Sequence, residues 1–185
     1  AIHANVQMLV GLSAERVQSE LRKIFTSSYE HDDFSLLLFD YIDVLEEIIP
    51  ELYLSRDFQQ HSPYHIYTVQ DHILKSVVEL KNVTQKLPEF TAAIHAHWFE
   101  LCITMLLHDI AIRSMMAAPA TFTAMLKKSA ELADDILRRL KFSNAERERI
   151  VLLIKNHDRQ FEPTVRCANR LLAAFGPIDA QLLMA

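Results

Sequence analysis

Three helical positions in this sequence carry imidazole and carboxylate groups where an apolar stripe would otherwise continue. His72 follows Val69 by three residues in the run YTVQDHILKSVVELKNV. His108 follows Leu101 by seven and Met105 by three, and Asp109 stands next to it at the end of LCITMLLHDI. His157 continues the spacing of Ile150, Leu153 and Ile154, again with an aspartate, Asp158, beside it. Residues three, four and seven apart share a helix face. Ionisable groups are thus aimed at a core from three separate helices, where an unpartnered polar group is costly. Two arrangements satisfy them: hydrogen bonds to one another, or a shared divalent cation, for which imidazole and carboxylate are suitable ligands. The second implies chemistry, because such a cation makes water a nucleophile near neutral pH.

The elements that must position these groups are helices. The chain has 185 residues, 50% of them hydrophobic and 23% charged, enough for one core or a core with a small appendage. It contains two glycines, Gly11 and Gly176, so glycine hairpins and glycine-rich phosphate loops are excluded and an all-α fold is expected. Ser13 is a good N-cap for GLSAERVQSELRKIF, whose Val17, Leu21 and Ile24 form one apolar face. DDFSLLLFDYIDVLEEIIPELYL reads as helical with an interruption at Pro50. Further helices are expected from Tyr67, from near His97 to Asp109, over KKSAELADDILRRLKF, and over SNAERERIVLLIKNHD, which Ser143 and Glu146 open with a capping box. A last helix has Pro163 in its first turn and stops at Gly176-Pro177. The polar stretch SRDFQQHSPYH is the best boundary, dividing a helical segment 1–60 from a unit at 61–185.

No apolar run has the length of a bilayer span and no signal segment opens the chain, so a cytoplasmic protein away from membranes is expected. The first residue is Ala rather than Met, which fits a piece of a longer protein. Cys102 and Cys167 sit in helical patterns and read as reduced core thiols. The net charge of −5 is uneven: residues 1–60 hold four Lys or Arg against eleven Asp or Glu, and residues 61–185 hold fifteen against thirteen. Nucleic acid gripped over the whole surface would require a basic chain throughout, so any RNA contact is local. Arg138, Arg139, Arg147 and Arg149 lie on the third and fourth helices of the second unit, either as a solvated face among Glu146 and Glu148 or as a contact for an RNA backbone. His95 and His97 are two apart and face different directions, which suits helix-start histidines better than a ligand pair.

The order of a His on one helix, a His-Asp ending another, and a later acid resembles the metal-dependent phosphohydrolases of the HD-domain superfamily. The surrounding words SPYHIYTVQDHILKSV, LLHDI, PATFT, KKSAELADDILRRLKFSNAERERIVLLIKNHD and NRLLAAFG resemble the HD-containing half of bacterial CCA-adding enzymes, the tRNA nucleotidyltransferase/poly(A) polymerase family. The leader, including LLLFDYIDVLEEIIPEL, is similar to the helical segment that follows the catalytic head there, so the resemblance covers nearly the whole chain in order. It implies a helical bundle with an HD-like core behind a small neck or body segment, tRNA or other RNA as partner, and a phosphoester as possible substrate. Neither the glycine-serine motif with paired aspartates of the head nor the nucleotide-selecting Asp/Arg motif of the neck is present.

By the same resemblance, His72, His108 and Asp109 match the first three ligands of a divalent metal (Mg, Mn, Ni or Co), with His108 and Asp109 at the catalytic centre. Asp158 is the candidate fourth ligand, with His157 close behind it. His65 and His157 are candidates to meet a phosphate, and His65 equally reads as a helix-start anchor between Tyr64 and Tyr67. The stretch 111–126 departs from the family: Ala111 and Ile112 stand where Gly and Lys follow the HDI word, and Met125 replaces a histidine. A thioether is a poor ligand for hard divalent ions, and the lost lysine would suit a phosphate.

Overall fold

The computed structural model describes residues 3–30, 34–59, 66–115, 121–162 and 164–184, and the fold is all-α. Pro163 and His65 lie outside the described residues. After a 3₁₀ segment at His3–Gly11, α1 (Ala14–Ser27) begins with the Ser13 hydroxyl accepting from the Arg16 N–H at 3.3 Å. The segment expected as one helix up to Pro50 is two, α2 (Phe34–Asp40) and α3 (Ile42–Ile48), because Tyr41 leaves the helical region at φ −113°. Pro50 ends α3 by the expected mechanism: it pushes Ile49 to φ −126°, ψ 77° and starts a 3₁₀ turn, Pro50–Ser55.

Next, α4 (Val69–Lys86) is capped by the Thr68 hydroxyl, which accepts from the Asp71 N–H at 3.0 Å. A 3₁₀ turn at Pro88–Phe90 leads into α5 (Thr91–Ala96), and α6 (Trp98–Leu107) follows. Nearly every side chain of α6 is buried, the mark of a helix surrounded by others. It packs against α4, α1 and, later in the chain, α9 (Asn144–Asn156). Short α7 (Ile112–Met115) leads towards α8 (Phe122–Arg139), which pairs with α9 through a tight turn where Lys141 takes φ 61°. Ser143 and Glu146 form the expected capping box of α9. In α10 (Val165–Met184), Gly176 at φ 78°, ψ 171° breaks the helix before Pro177, a conformation that favours glycine. The break lets Ala180 and Met184 pack against Cys167, Leu171 and Phe175.

Beside that small cluster, one main core joins the other helices. Phe25, Ile49 and Leu52 belong to the same buried cluster as Ile73, Leu106, Ile136 and Ile150. The Trp98 indole N–H donates to the Phe25 carbonyl and lies within hydrogen-bond distance of the Ser28 hydroxyl, both at 2.9 Å. Apolar packing therefore continues across the polar stretch near residue 60. Each fully buried Leu or Ile of α6 contributes about 1.5–3 kcal/mol, so the helix that ends in His108 is held firmly. Among the described residues no single helix is long and apolar enough to cross a membrane.

Candidate metal centre

Two helix C-termini and one helix N-terminus meet at this site. His108 is the C-cap of α6 and His157 the C-cap of α9, where the last backbone carbonyls lack helical partners. Each imidazole supplies one. His108 Nδ1–H donates to the Met105 carbonyl at 2.8 Å, and His157 Nδ1–H donates to the Ile154 carbonyl at 2.9 Å. This i to i−3 bond fixes the ring and leaves Nε2 of both histidines pointing onward. His72 sits in the first turn of α4, its backbone N–H bonded to the Thr68 carbonyl at 2.9 Å.

The three Nε2 atoms face the carboxylate of Asp109. His72 Nε2 and His108 Nε2 are 3.0 Å apart, and each lies 3.4 Å from Asp109 Oδ2. His157 Nε2 stands 3.8 Å from Asp109 Oδ1, and its ring centroid is 4.8 Å from that of His108. The N to O separations are too long for good hydrogen bonds. The distances among His72, His108 and Asp109 suit a shared cation: two ligands each about 2.1 Å from one ion lie about 3.0 Å apart at a right angle and about 3.4 Å apart at the tetrahedral angle. His72, His108 and Asp109 thus offer three ligand atoms, all within 4.8 Å of one another. The residues fit the group.

The electrostatics follow from burial and proximity. Burial alone would raise the Asp109 carboxyl, but the His108 and His72 imidazoles outweigh it and hold the group far below the usual carboxylate range. Burial likewise opposes charge on His108, and the Asp109 carboxylate overcomes that, raising the imidazole above its ordinary 6.5. His157 moves the other way, lowered by its burial and by the charge on His108. A proton on His108 therefore stands where a cation would. His108 is only 5% exposed and Asp109 14%, while His72 at 36% opens the cluster to solvent on the α4 side.

The other candidates fall as follows. Asp158 is exposed, so at the end of α9 the imidazole of His157, rather than the neighbouring carboxylate, closes on Asp109. Of the departing residues, Ala111 is fully buried with its N–H on the Ser129 hydroxyl at 3.3 Å, and Ile112 is part of the core. Met125 is half-buried on α8. The four arginines are all engaged by carboxylates: Arg138 by Asp134 at 2.5 Å, Arg139 bidentately by Glu51 at 2.7 and 2.8 Å, Arg147 by Asp134 at 2.8 Å, and Arg149 by Asp179 at 2.7 Å and Glu100 at 3.4 Å. Arg149 also reaches His97 Nδ1 at 3.3 Å, while His95 is exposed and packs edge-on against Tyr29. Burial pushes the Cys102 thiol up to about 12, which removes it as a nucleophile. The carbonyls of Met105 and Ile154, which set the two tautomers, are groups that sequence reasoning overlooked; histidine at a helix C-terminus is the signal that could have found them. No family model matches the chain, and a search of curated proteins returns no match.

Proposed function

We propose that this chain is the HD-containing helical part of a CCA-adding-type tRNA nucleotidyltransferase, and that its His72, His108 and Asp109, joined by His157, hold a divalent cation used against a phosphoester. What carries the reading is the convergence of three imidazole Nε2 atoms from three helices on the carboxylate of Asp109, at the positions where the ordered sequence words resemble that family. When bound, a divalent cation supplies Lewis acidity, which phosphoester hydrolysis needs. The chain's own residues supply the rest. Asp109 balances charge, Met105 and Ile154 hold the imidazoles in the ligating tautomer, and half-exposed His72 leaves a side open to substrate. A nitrogen-rich set favours Mn, Co or Ni over Mg.

A stand-alone phosphohydrolase is the second reading, favoured by the engagement of Arg138, Arg139, Arg147 and Arg149 with acids, which leaves them poorly placed as an RNA track. Two measurements decide. Metal content after loading with Mn, Co or Ni, paired with turnover of bis-p-nitrophenyl phosphate by wild type and His108→Ala, tests the centre; absence of bound metal ends the hydrolytic role. A parent gene that encodes a nucleotidyltransferase head, together with saturable tRNA binding, supports the first reading over the second.

A further inference from the structure

Two turns of the His72–His108–Asp109 cluster are fastened to one stretch of chain, residues 46–59, that supplies none of its three groups. On the His72 side, Gln59 and Thr68 form an antiparallel bridge, and the Val69 N–H donates to the Phe58 carbonyl at 2.9 Å. One residue on, the Gln70 amide donates to Glu46 Oε1 at 2.8 Å. Glu46 is buried, and the Arg56 guanidinium spans its carboxylate, Nε to Oε1 at 3.2 Å and Nη2 to Oε2. A fork of this kind fixes both partners in direction as well as distance. His72 follows within the same turn of α4.

On the other side, Asp109 lies in the turn between α6 and α7. Beyond that turn, Arg113 of α7 donates to the Leu54 carbonyl at 3.3 Å and reaches the Arg56 carbonyl at 3.5 Å, with its guanidinium 5.6 Å from the centre of the Phe58 ring. Ile73, Leu74 and Val77 already bury the body of α4, so these polar ties add little to its burial. What they set is the position of its first turn, where a helix has unsatisfied amides and frays. That position matters because metal ligation tolerates only about 0.2 Å in a ligand distance.

We propose, resting on the metal reading above, that residues 46–59 clamp the centre: Glu46, Arg56, Gln70 and Arg113 are positioning residues that hold His72 and Asp109 at ligand spacing. Displacement of this stretch loosens the cation, and by linkage a bound cation stiffens the stretch. Two variants of the full chain each cut one tie and leave the Glu46–Arg56 pair whole, Gln70→Ala and Arg113→Met. Arg22→Met is the control, since it breaks the Glu146 pair between α1 and α9, away from the clamp. Titration calorimetry with Mn or Co is expected to show affinity about 10–100-fold weaker in both tie variants, largely recovered by Arg113→Lys, and within about threefold of wild type in the control. Without metal, imidazole ¹H–¹⁵N spectra are expected to show the His72–His108 contact in wild type and control, and its loss in both tie variants. Circular dichroism melts identify the folded variants. Wild-type affinity and imidazole signals in either folded tie variant overturn the clamp, as does equal weakening in the control at an equal loss of Tm. A wild type that binds no metal ends the hydrolytic reading, and the imidazole spectra then decide the clamp by themselves.

Discussion

His72 Nε2 and His108 Nε2 stand 3.0 Å apart although 36 residues separate them, and both face the carboxylate of Asp109. Two imidazole nitrogens that close cannot both carry protons without conflict. One hydrogen between them, or one cation bound by both, resolves it.

Replacing His157 and Asp158 in turn separates two neighbours by function. His157→Ala is expected to lower affinity for Mn or Co by about 10–100-fold, the range of a lost supporting or weak ligand. Asp158→Ala, at an exposed carboxylate, is expected to change it less than about threefold. Isothermal titration calorimetry on both variants reads the difference, and the reverse order would assign the role to Asp158.

Stability of the metal-free protein depends on pH in both directions. The raised His108 contributes stability that is complete below its ordinary 6.5 and is lost as pH rises through its higher folded value. The lowered His157 contributes stability present above 6.5 and lost as pH falls through its lower folded value. The contribution of this site therefore peaks near 6.5 without metal. If the centre binds Mn or Co as proposed, the metal takes the place of the His108 proton and is expected to stabilise more strongly as pH rises. Tm measured against pH, with chelator and with metal, checks both limbs; parallel curves would contradict the coupling.

Arginines of one surface differ in what they hold together. Arg149→Ala removes the ion pair of half-buried Asp179 and leaves buried Glu100 with His97 as its remaining charged partner among the described ion pairs, at an expected cost of about 2–4 kcal/mol. Arg138→Ala removes a pair that is 61% exposed on the arginine side and is expected to cost less than about 0.5 kcal/mol. Urea denaturation ranks them. If tRNA binds, Arg138→Ala is expected to leave the salt dependence of affinity nearly unchanged, because that guanidinium is already neutralised.

The single tryptophan tests whether residues on either side of position 60 unfold together. Trp98→Phe removes the indole N–H that serves the Phe25 carbonyl and Ser28, at an expected cost of about 1–3 kcal/mol. In the wild type, Trp98 fluorescence and helical circular dichroism are expected to report one coincident transition. Two separated transitions would mean that the shared core is not cooperative.

Local chemistry was legible in the sequence. Apolar periodicity, the Ser13 and Ser143 caps, the stop at Pro50 and the break at Gly176 depend on neighbours a few residues away, and each acts where it was read. The presence of His72, His108, Asp109 and His157 at helix faces aimed inward was also legible, since spacing alone sets a face. Tertiary structure decided the rest. Adjacent residues at a helix end point about 100° apart, and only the packing of α9 on α6 turns His157 rather than Asp158 towards Asp109. Glu51 reaches Arg139 across 88 residues, an ion pair between segments that is invisible to any local pattern. Short-range sterics and hydrogen bonds act along the chain, whereas the partner of a charge is set by which helices the buried core brings side by side.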